Sequence, residues 1–275
     1  FTRRAPQTLK IATPDVPVVS ASDVLSDSDG LVIFSSKCWR SSKGFYNRFT
    51  QTFTPLHGEF GSQQEIDDYV AAMKNIVADG EVTLDFSGMG YTGSEADKSN
   101  RGIALCGSYW NIKGVTITGA ADNGMILAGH HNVLEQCVFA ANHDSGLQIS
   151  RFNTKYDNIK DWPSYNLIKN CSSYDNCDIS GENADGFAAK LTCGEGNVFD
   201  GCMSYNNSDD GWDLYAKTAT GKIGVVTLKN CIAFRNGKLT NGSGTATGDM
   251  NGFKLGGSGV GTPHIVENCI AFENG

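Results

Sequence analysis

The segment Asn230-Cys231-Ile232-Ala233-Phe234-Arg235-Asn236 returns almost unchanged as Asn268-Cys269-Ile270-Ala271-Phe272-Glu273-Asn274. Three earlier segments share its frame, in which an asparagine follows a cysteine by five positions: Cys137 with Asn142, Cys171 with Asn176, and Cys202 with Asn207. Four of the five segments also carry an aromatic residue three positions after the cysteine: Tyr174, Tyr205, Phe234 and Phe272. A recurrence of this kind indicates a repeat architecture.

A second register, made of glycines, runs through the same region. Each glycine is followed by alternating apolar residues, and the six positions are Gly102, Gly124, Gly146, Gly186, Gly211 and Gly252. Successive glycines are separated by 22, 22, 40, 25 and 41 residues. A unit of about 22 residues with two insertions accounts for both registers.

Such a unit predicts a solenoid of short strands, because a single coil cannot bury its own apolar side and has to stack on its neighbours. Stacked strands lie about 4.8 Å apart, so equivalent residues form columns. We expect the cysteines and aromatics inside and the asparagines at a turn, where they can bond turn amides. The fold predicted from the sequence is therefore all-β, a right-handed parallel β-helix.

The segment before the repeats has the pattern of a covering helix. Ser62-Gln63-Gln64-Glu65 is a capping box, and the apolar residues after it recur at helical spacing until Gly80. We predict an N-terminal extension over residues 1–61, a capping helix over 62–80 that shields the first coil, and a β-helix catalytic domain over 81–275. At the other end the chain stops partway through a unit, which predicts that further coils were removed or that another element protects that edge.

Composition excludes several classes of function. The net charge of −8 argues against nucleic acid, which requires a cationic surface. No apolar run is long enough for a transmembrane span, and no signal-peptide pattern opens the chain, so we expect no membrane partner. The cysteines number nine, an odd count, and their column favours buried packing over disulfides or a metal-thiolate site, which would use closer spacing.

Carboxylates accumulate at one place in the glycine register. Asp185 and Asp210 each directly precede a glycine, Asp209 precedes Asp210, and Asp213 lies two positions after Gly211. At an effective dielectric constant of about 20, two carboxylates 4 Å apart repel by about 4 kcal/mol, so four close together require a cation. Ligation by oxygen alone favours calcium over zinc. The alternative is an ordinary solvated acidic turn.

Lys254 occupies the same outward column as Asp213, one coil further on. A neighbouring dication lowers the pKa of an ammonium group, which turns a lysine into a usable base near neutral pH. Gly256 and Gly257 follow and leave room for a bulky ligand. The alternative is a solvated surface lysine.

Three motifs together resemble polysaccharide lyase family 9, the β-helical pectate lyases. These are Asn183-Ala184-Asp185-Gly186-Phe187, Asp209-Asp210-Gly211-Trp212-Asp213 and Gly252-Phe253-Lys254-Leu255-Gly256-Gly257, and the resemblance extends over roughly residues 100–275. It implies that Asp185, Asp209, Asp210 and Asp213 bind Ca2+ and that Lys254 is the catalytic base. The first hundred residues carry no motif that we can place in the family.

The resemblance also implies a substrate and a reaction. We expect an acidic plant cell-wall polysaccharide, polygalacturonate or pectate, to be cleaved by β-elimination. Arg235, Lys217 and Lys190 are candidates to hold substrate carboxylates, with ordinary surface positions as the alternative. From this substrate we infer a secreted protein, extracellular or periplasmic, and we expect a monomer.

Three other functions remain open from the sequence. One is lysis of rhamnogalacturonan I, since only residues in the insertions at 151–165 and 237–250 would have to differ. Another is a polygalacturonase-like hydrolase, whose acidic motif is similar, but none of the five histidines here lies in the Gly-His-Gly setting that it requires. The third is a non-catalytic, calcium-stabilised glycan-binding β-helix.

Overall fold

The computed structural model describes residues 75–94, 97, 100–243 and 247–275, together with Ser62, Gln64 and five short strands between residues 9 and 55. From residue 103 onward, six coils follow one another, and each contributes one strand to each of three parallel sheets. The predicted parallel β-helix is confirmed.

Sheet 1 contains the strands that follow the repeating glycines. They are β7 (Ile103–Leu105), β9 (Met125–Leu127), β12 (Leu147–Ile149), β15 (Phe187–Ala188), β18 (Trp212–Asp213) and β21 (Phe253–Lys254). The short strand β2 (Leu31–Val32) pairs with β7 at the N-terminal end. All of these pairings are parallel and without register shifts, so equivalent positions of successive coils lie above one another.

Sheets 2 and 3 are joined at their N-terminal end by the long strand β8 (Asn111–Thr118), whose two halves pair with different neighbours. Sheet 2 continues through β10 (Val133–Glu135), β13 (Leu167–Lys169), β16 (Asn197–Asp200), β19 (Val226–Lys229) and β22 (Ile265–Glu267). Sheet 3 continues through β11 (Val138–Ala140), β14 (Ser172–Tyr174), β17 (Met203–Tyr205), β20 (Ile232–Phe234) and β23 (Ile270–Phe272).

The N-terminal region adds strands to this scaffold. Strand β6 (Asn75–Asp85) pairs with both halves of β8, and β1 (Leu9–Lys10) pairs antiparallel with β6. Strands β3 (Cys38–Arg40), β4 (Gly44–Asn47) and β5 (Thr52–Pro55) form a separate antiparallel sheet.

The capping helix predicted over residues 62–80 extends too far along the chain. Residues 75–80 belong to strand β6, because pairing with β8 outweighs the helical spacing of Ile76 and Val77. Residues 65–74 lie outside the described residues, so a helix there stays a prediction. Short 3-10 helices span Ser87–Met89 and Ile159–Asp161. No helix in the described part of the chain is long and apolar enough to cross a membrane.

The asparagine column is a hydrogen-bonded ladder at the turn after sheet 3. The side-chain oxygen of each member accepts from the backbone N–H and the side-chain Nδ2 of the member one coil before it. The Nδ2 to Oδ1 distances lie between 2.8 and 3.0 Å along Asn142, Asn176, Asn207, Asn236 and Asn274. This confirms that the column satisfies turn amides from coil to coil.

A second ladder, which the repeat analysis did not identify, lies at the turn between sheets 1 and 2. It consists of Asn132, Asn166 and Asn197, with Nδ2 to Oδ1 distances of 3.1 and 2.8 Å. In both ladders the residue before each asparagine has a positive φ, as at His131 (55°) and Asn206 (55°). The left-handed residue turns the chain sharply enough for the asparagine to point inward.

The core confirms the cysteine column and corrects the aromatic one. Cys137, Cys171, Cys202 and Cys231 are buried free thiols in the hydrophobic core. The aromatic residues instead stack on the outer face of sheet 3, with ring centroids 4.8–5.2 Å apart along Tyr174, Tyr205, Phe234 and Phe272. Side chains alternate along a strand, so a residue three positions after an inward cysteine faces outward.

Removing one rung of the first ladder should destabilise the protein strongly. Asn207→Ala would leave the buried amide groups of Asn176 without their acceptor, and we expect the free energy of unfolding to fall by about 3 kcal/mol. Denaturant titration measures this change. The matched control is Asn153→Ala, in an exposed turn where Asn153 accepts one hydrogen bond from Lys155 N. An equal loss of unfolding free energy in the two variants would contradict a structural role for the ladder.

Candidate active site

The acidic residues lie where the chain enters the strands of sheet 1. Asp185 precedes Gly186 and β15, and Asp209 and Asp210 precede Gly211 and β18. The backbone N–H of Gly186 donates to Asp210 O at 2.9 Å, which sets one coil directly on the next. Coil stacking therefore brings together carboxylates that are about 25 residues apart in the chain.

Glycine is required at both turns for steric reasons. A Cβ atom at Gly186 would overlap Ser204 Oγ, and one at Gly211 would lie 2.6 Å from Gly252 O. Close packing within and between the coils thus explains the glycine of each Asp-Gly pair.

Three of the four predicted carboxylates form one buried cluster. Asp185, Asp209 and Asp210 are 0%, 3% and 0% exposed, and one oxygen atom from each lies within 4.8 Å of the others. Asn251 N and Nδ2 donate to Asp210 Oδ1 at 2.7 and 2.9 Å, and Asp249 N donates to Asp209 Oδ1 at 2.6 Å. These hydrogen bonds fix the orientation of the carboxylates before any ligand binds.

The fourth carboxylate, Asp213, lies beside the cluster and is held by a lysine. Lys190 Nζ is 3.1 Å from Asp213 Oδ2 and 2.6 Å from Asp185 Oδ2. Lys190, predicted as a residue that binds substrate carboxylates, is therefore already engaged by two aspartates. The second oxygen of Asp213, Oδ1, is buried and has no hydrogen-bond partner among the described residues.

Lys254 contacts the cluster through Asp210. Its register partner in β18 is Asp213, and its Nζ is 3.1 Å from Asp210 Oδ2 and 2.8 Å from Asp249 Oδ2. The ammonium group also lies 5.6 Å from the centre of the Tyr215 ring. The structure thus places Lys254 at the edge of the cluster, with its side chain still partly open to solvent.

Burial and mutual repulsion raise the pKa values of the carboxylates in the cluster. Burial raises the pKa of Asp209 to about 7, with repulsion from Asp210 adding to the effect, and burial likewise raises the pKa of Asp210. The pKa of Asp185 is raised well above its usual range, although Lys190 opposes this. Hydrogen bonding to Asp249 and attraction to the nearby aspartates outweigh burial and raise the pKa of Lys254.

The donor set fits a hard divalent cation. When all groups are ionised, the four aspartates against Lys190 and Lys254 leave two negative charges in a buried site. Among the described residues the donors of the cluster are carboxylate oxygens, and none of these residues donates a hydrogen bond to the buried Asp213 Oδ1. Such donors suit calcium, which takes six to eight oxygen ligands, better than zinc.

The other two cations predicted to bind substrate lie away from the cluster. Arg235 pairs through Nε with Glu273 at 2.7 Å and lines a separate cavity of about 380 Å³ with that residue. Lys217 is exposed in a tight turn that is closed by its bridge to Gly221. The structure therefore brings together the four aspartates, Lys190 and Lys254, but not Arg235 or Lys217.

Several contributors were missed by the motif analysis. Asp249 lies in an insertion, where no repeat position points to it, and Tyr215 packs so closely on Gly257 that a Cβ atom there would overlap its ring. Ser145 Oγ donates to Asp185 Oδ2 at 3.1 Å, and Asn251 donates to Asp210. Ser145 and Asn251 both directly precede a repeating glycine, which is the signal that could have identified them.

Comparison with known proteins agrees with this architecture. A family profile described as "Pel9A-like, right handed beta helix region" matches residues 42–275. The chain is 55% identical over 181 residues to a pectate lyase L of Thermoclostridium stercorarium, covering 65% of this chain and 14% of that protein. It is 45% identical over 229 residues to a pectate lyase L of Paenibacillus polymyxa, covering 82% of this chain and 48% of that protein.

A solved structure extends the similarity to three dimensions. The crystal structure of pectate lyase Pel9A superimposes with a TM-score of 0.61 at 33% sequence identity, covering 73% of this chain and 46% of that one. The chain thus spans less than half the length of these relatives. With the profile matched over most of its residues, the chain belongs to the Pel9A-like family of right-handed β-helix proteins.

Proposed function

We propose that this chain carries the active site of a calcium-dependent lyase that cleaves polygalacturonate or pectate by β-elimination, with Lys254 as the base. The observation that carries the proposal is the position of Lys254 Nζ, 3.1 Å from a carboxylate of a buried three-aspartate cluster. Relatives named pectate lyase at 45% and 55% identity support the same reaction.

In the proposed reaction, Lys254 removes the proton from C5 of a uronate residue. The electron pair of that C–H bond forms the C4–C5 double bond. The C4–O bond breaks, and the glycosidic oxygen leaves with its electron pair and takes up a proton from solvent water. This requires Lys254 in its neutral form, whereas the surrounding aspartates favour the ammonium ion. A calcium ion held by Asp185, Asp209, Asp210 and Asp213 would supply the positive charge that lowers the pKa of this amine and stabilises the charge developing on the substrate carboxylate.

The remaining residues have distinct roles in this proposal. Lys190 keeps Asp185 and Asp213 in place and reduces the repulsion among the carboxylates. Asn251 and the backbone N–H of Asp249 orient the other two aspartates. Lys217 and Arg235 remain proposals as substrate-binding residues, and Arg235 is the weaker of them because Glu273 already neutralises it.

The proposed substrate also determines the proposed location of the protein. Polygalacturonate is a polymer outside the cell, so the proposal includes secretion. Homogalacturonan is preferred over rhamnogalacturonan I because the relatives reported above are named pectate lyases. The first experiment below distinguishes the lyase from two alternatives, a hydrolase and a non-catalytic binding module.

Replacement of Lys254 should abolish the reaction while leaving the fold intact. For Lys254→Ala we expect kcat on polygalacturonate to fall about 10²–10⁴-fold, which is the contribution of a general base. The measurement is the ultraviolet absorbance of the unsaturated product, with calcium or with a chelator. The control is Lys229→Ala, which replaces a partly exposed lysine on the outer face of sheet 2.

Three outcomes would count against the proposal. Full activity of Lys254→Ala would remove Lys254 as the base. Reducing ends without absorbance in the parent enzyme would favour hydrolysis. Absence of product from both polygalacturonate and rhamnogalacturonan, combined with retained glycan binding, would favour the binding module.

Calcium should stabilise the protein increasingly as pH rises from about 5 to about 8. In metal-free protein the raised pKa values of Asp185, Asp209 and Asp210 mean that the folded state binds more protons than the unfolded state above about pH 4. That stabilisation is lost as pH rises through the folded-state pKa, which is about 7 for Asp209. Calcium replaces the protons, so its stabilising effect grows over this range.

The measured quantity is the difference in Tm between calcium-loaded and chelated protein at each pH. Taking this difference cancels the contribution of half-buried histidines such as His264, whose lowered pKa changes stability with the opposite sign. Asp209→Asn should reduce both the calcium shift and its pH dependence. A shift that is independent of pH, or that is unchanged in Asp209→Asn, would show that calcium binds elsewhere.

A further inference from the structure

A cationic cavity of about 260 Å³ lies on the outer face of sheet 1, over Ile126 and Gln148. Three of its lining side chains are Arg101, Arg151 and Lys217, and none of its lining residues, all within the described part of the chain, is acidic. In a protein with a net charge of −8, such a surface requires an explanation. A cavity lined by cations attracts anions.

Two of the three cations have no carboxylate partner in the part of the chain that the structure describes. Arg101 is paired with Asp122 at 3.3 Å. Arg151 donates through Nη1 to the carbonyl of Tyr156 at 3.0 Å, and within the described residues neither it nor Lys217 lies within ion-pair distance of a carboxylate. Their charges therefore remain available to a ligand.

The cavity continues the face on which the aspartate cluster lies. Along the outward column of sheet 1, Gln148 pairs with Ala188, Ala188 with Asp213, and Asp213 with Lys254. Gln148 is therefore two coils before Asp213, a distance of about 10 Å at the ordinary strand spacing. An oligosaccharide of a few residues spans that distance.

Two chain segments connect the cluster directly to the cavity. Lys190 contacts Asp185 and Asp213, and Thr192, two residues later, lines the cavity and accepts from Arg151 N at 3.2 Å. Lys217 lies four residues after Asp213. The cationic cavity and the acidic cluster are thus adjoining parts of one surface.

We propose that this cavity is a distal subsite for the carboxylate of an unesterified uronate residue, bound by Arg151 and Lys217 while another residue of the same chain occupies the cluster beside Lys254. The inference rests on the proposed lyase function and adds a specificity to it. Methyl esterification removes the negative charge, so the subsite selects de-esterified stretches of the polymer. It also places the bound polymer along the axis of the β-helix, toward its N-terminal coils.

The test compares a double variant, Arg151→Gln with Lys217→Gln, with a matched control, Lys169→Gln on the outer face of sheet 2. Binding is measured by calorimetry in calcium on proteins that also carry Lys254→Ala, so that no turnover occurs. An exposed ion pair changes affinity by about two- to fivefold. We therefore expect the Kd for a long oligogalacturonate to rise about 5–20-fold in the double variant.

Ligand length and esterification provide internal controls. A disaccharide is too short to reach both sites and should bind equally to the double variant and the control. A methyl-esterified long oligomer should show no difference between them either. In the active enzyme, the double variant should raise KM for polygalacturonate by the same factor and leave kcat unchanged.

The outcomes separate this inference from the proposed function. If unsaturated product forms and the double variant matches the control in both Kd and KM, the subsite is wrong and the lyase stands. If the parent enzyme forms no unsaturated product but the double variant binds the long oligomer more weakly, the lyase is wrong and the subsite stands. An equal loss of affinity for the disaccharide would place Arg151 and Lys217 at the cluster itself and would also overturn the distal assignment.

Discussion

Parallel pairing of one coil directly on the next is the constraint on which the rest of this structure depends. Because each strand of sheet 1 aligns with its neighbour without a shift in register, residues 25 or 41 positions apart in the chain become neighbours at one strand spacing. The asparagine ladders hold this alignment at the corners, where the backbone leaves the sheets and would otherwise lack partners. Any side chain on the outer face thus acquires a fixed place relative to those above and below it.

The same alignment creates an electrostatic problem at the Asp-Gly turns. Asp185 and Asp210 are completely buried and stacked on adjacent coils, an arrangement that is unfavourable unless positive charge is present. Lys190 supplies part of that charge from inside the site, and Lys254 supplies more from its edge. The negative charge that remains suits a divalent cation, so in the proposed mechanism the binding of calcium and the basicity of Lys254 depend on the same balance of charge.

The insertions add functional side chains that the repeat itself does not provide. Asp249, which pairs with Lys254, comes from the insertion before β21, and Arg151 comes from the one after β12. Functional differences between proteins of this fold are therefore expected in such loops, while the stacked strands keep the positions from which the loops project.

The sequence by itself determined the repeat, the parallel β-helix, the inward cysteine column and the first asparagine ladder, because each follows from a period that is visible along the chain. It also placed Lys254 in the column of Asp213, since the alternation of a strand is local. Only the tertiary structure decided that the aromatic column faces outward, that residues 75–80 are strand, that the ammonium group of Lys190 lies between two aspartates, and that Asp249 reaches Lys254. These depend on which side chains from different coils and insertions approach each other in space, and no period along the chain encodes those distances.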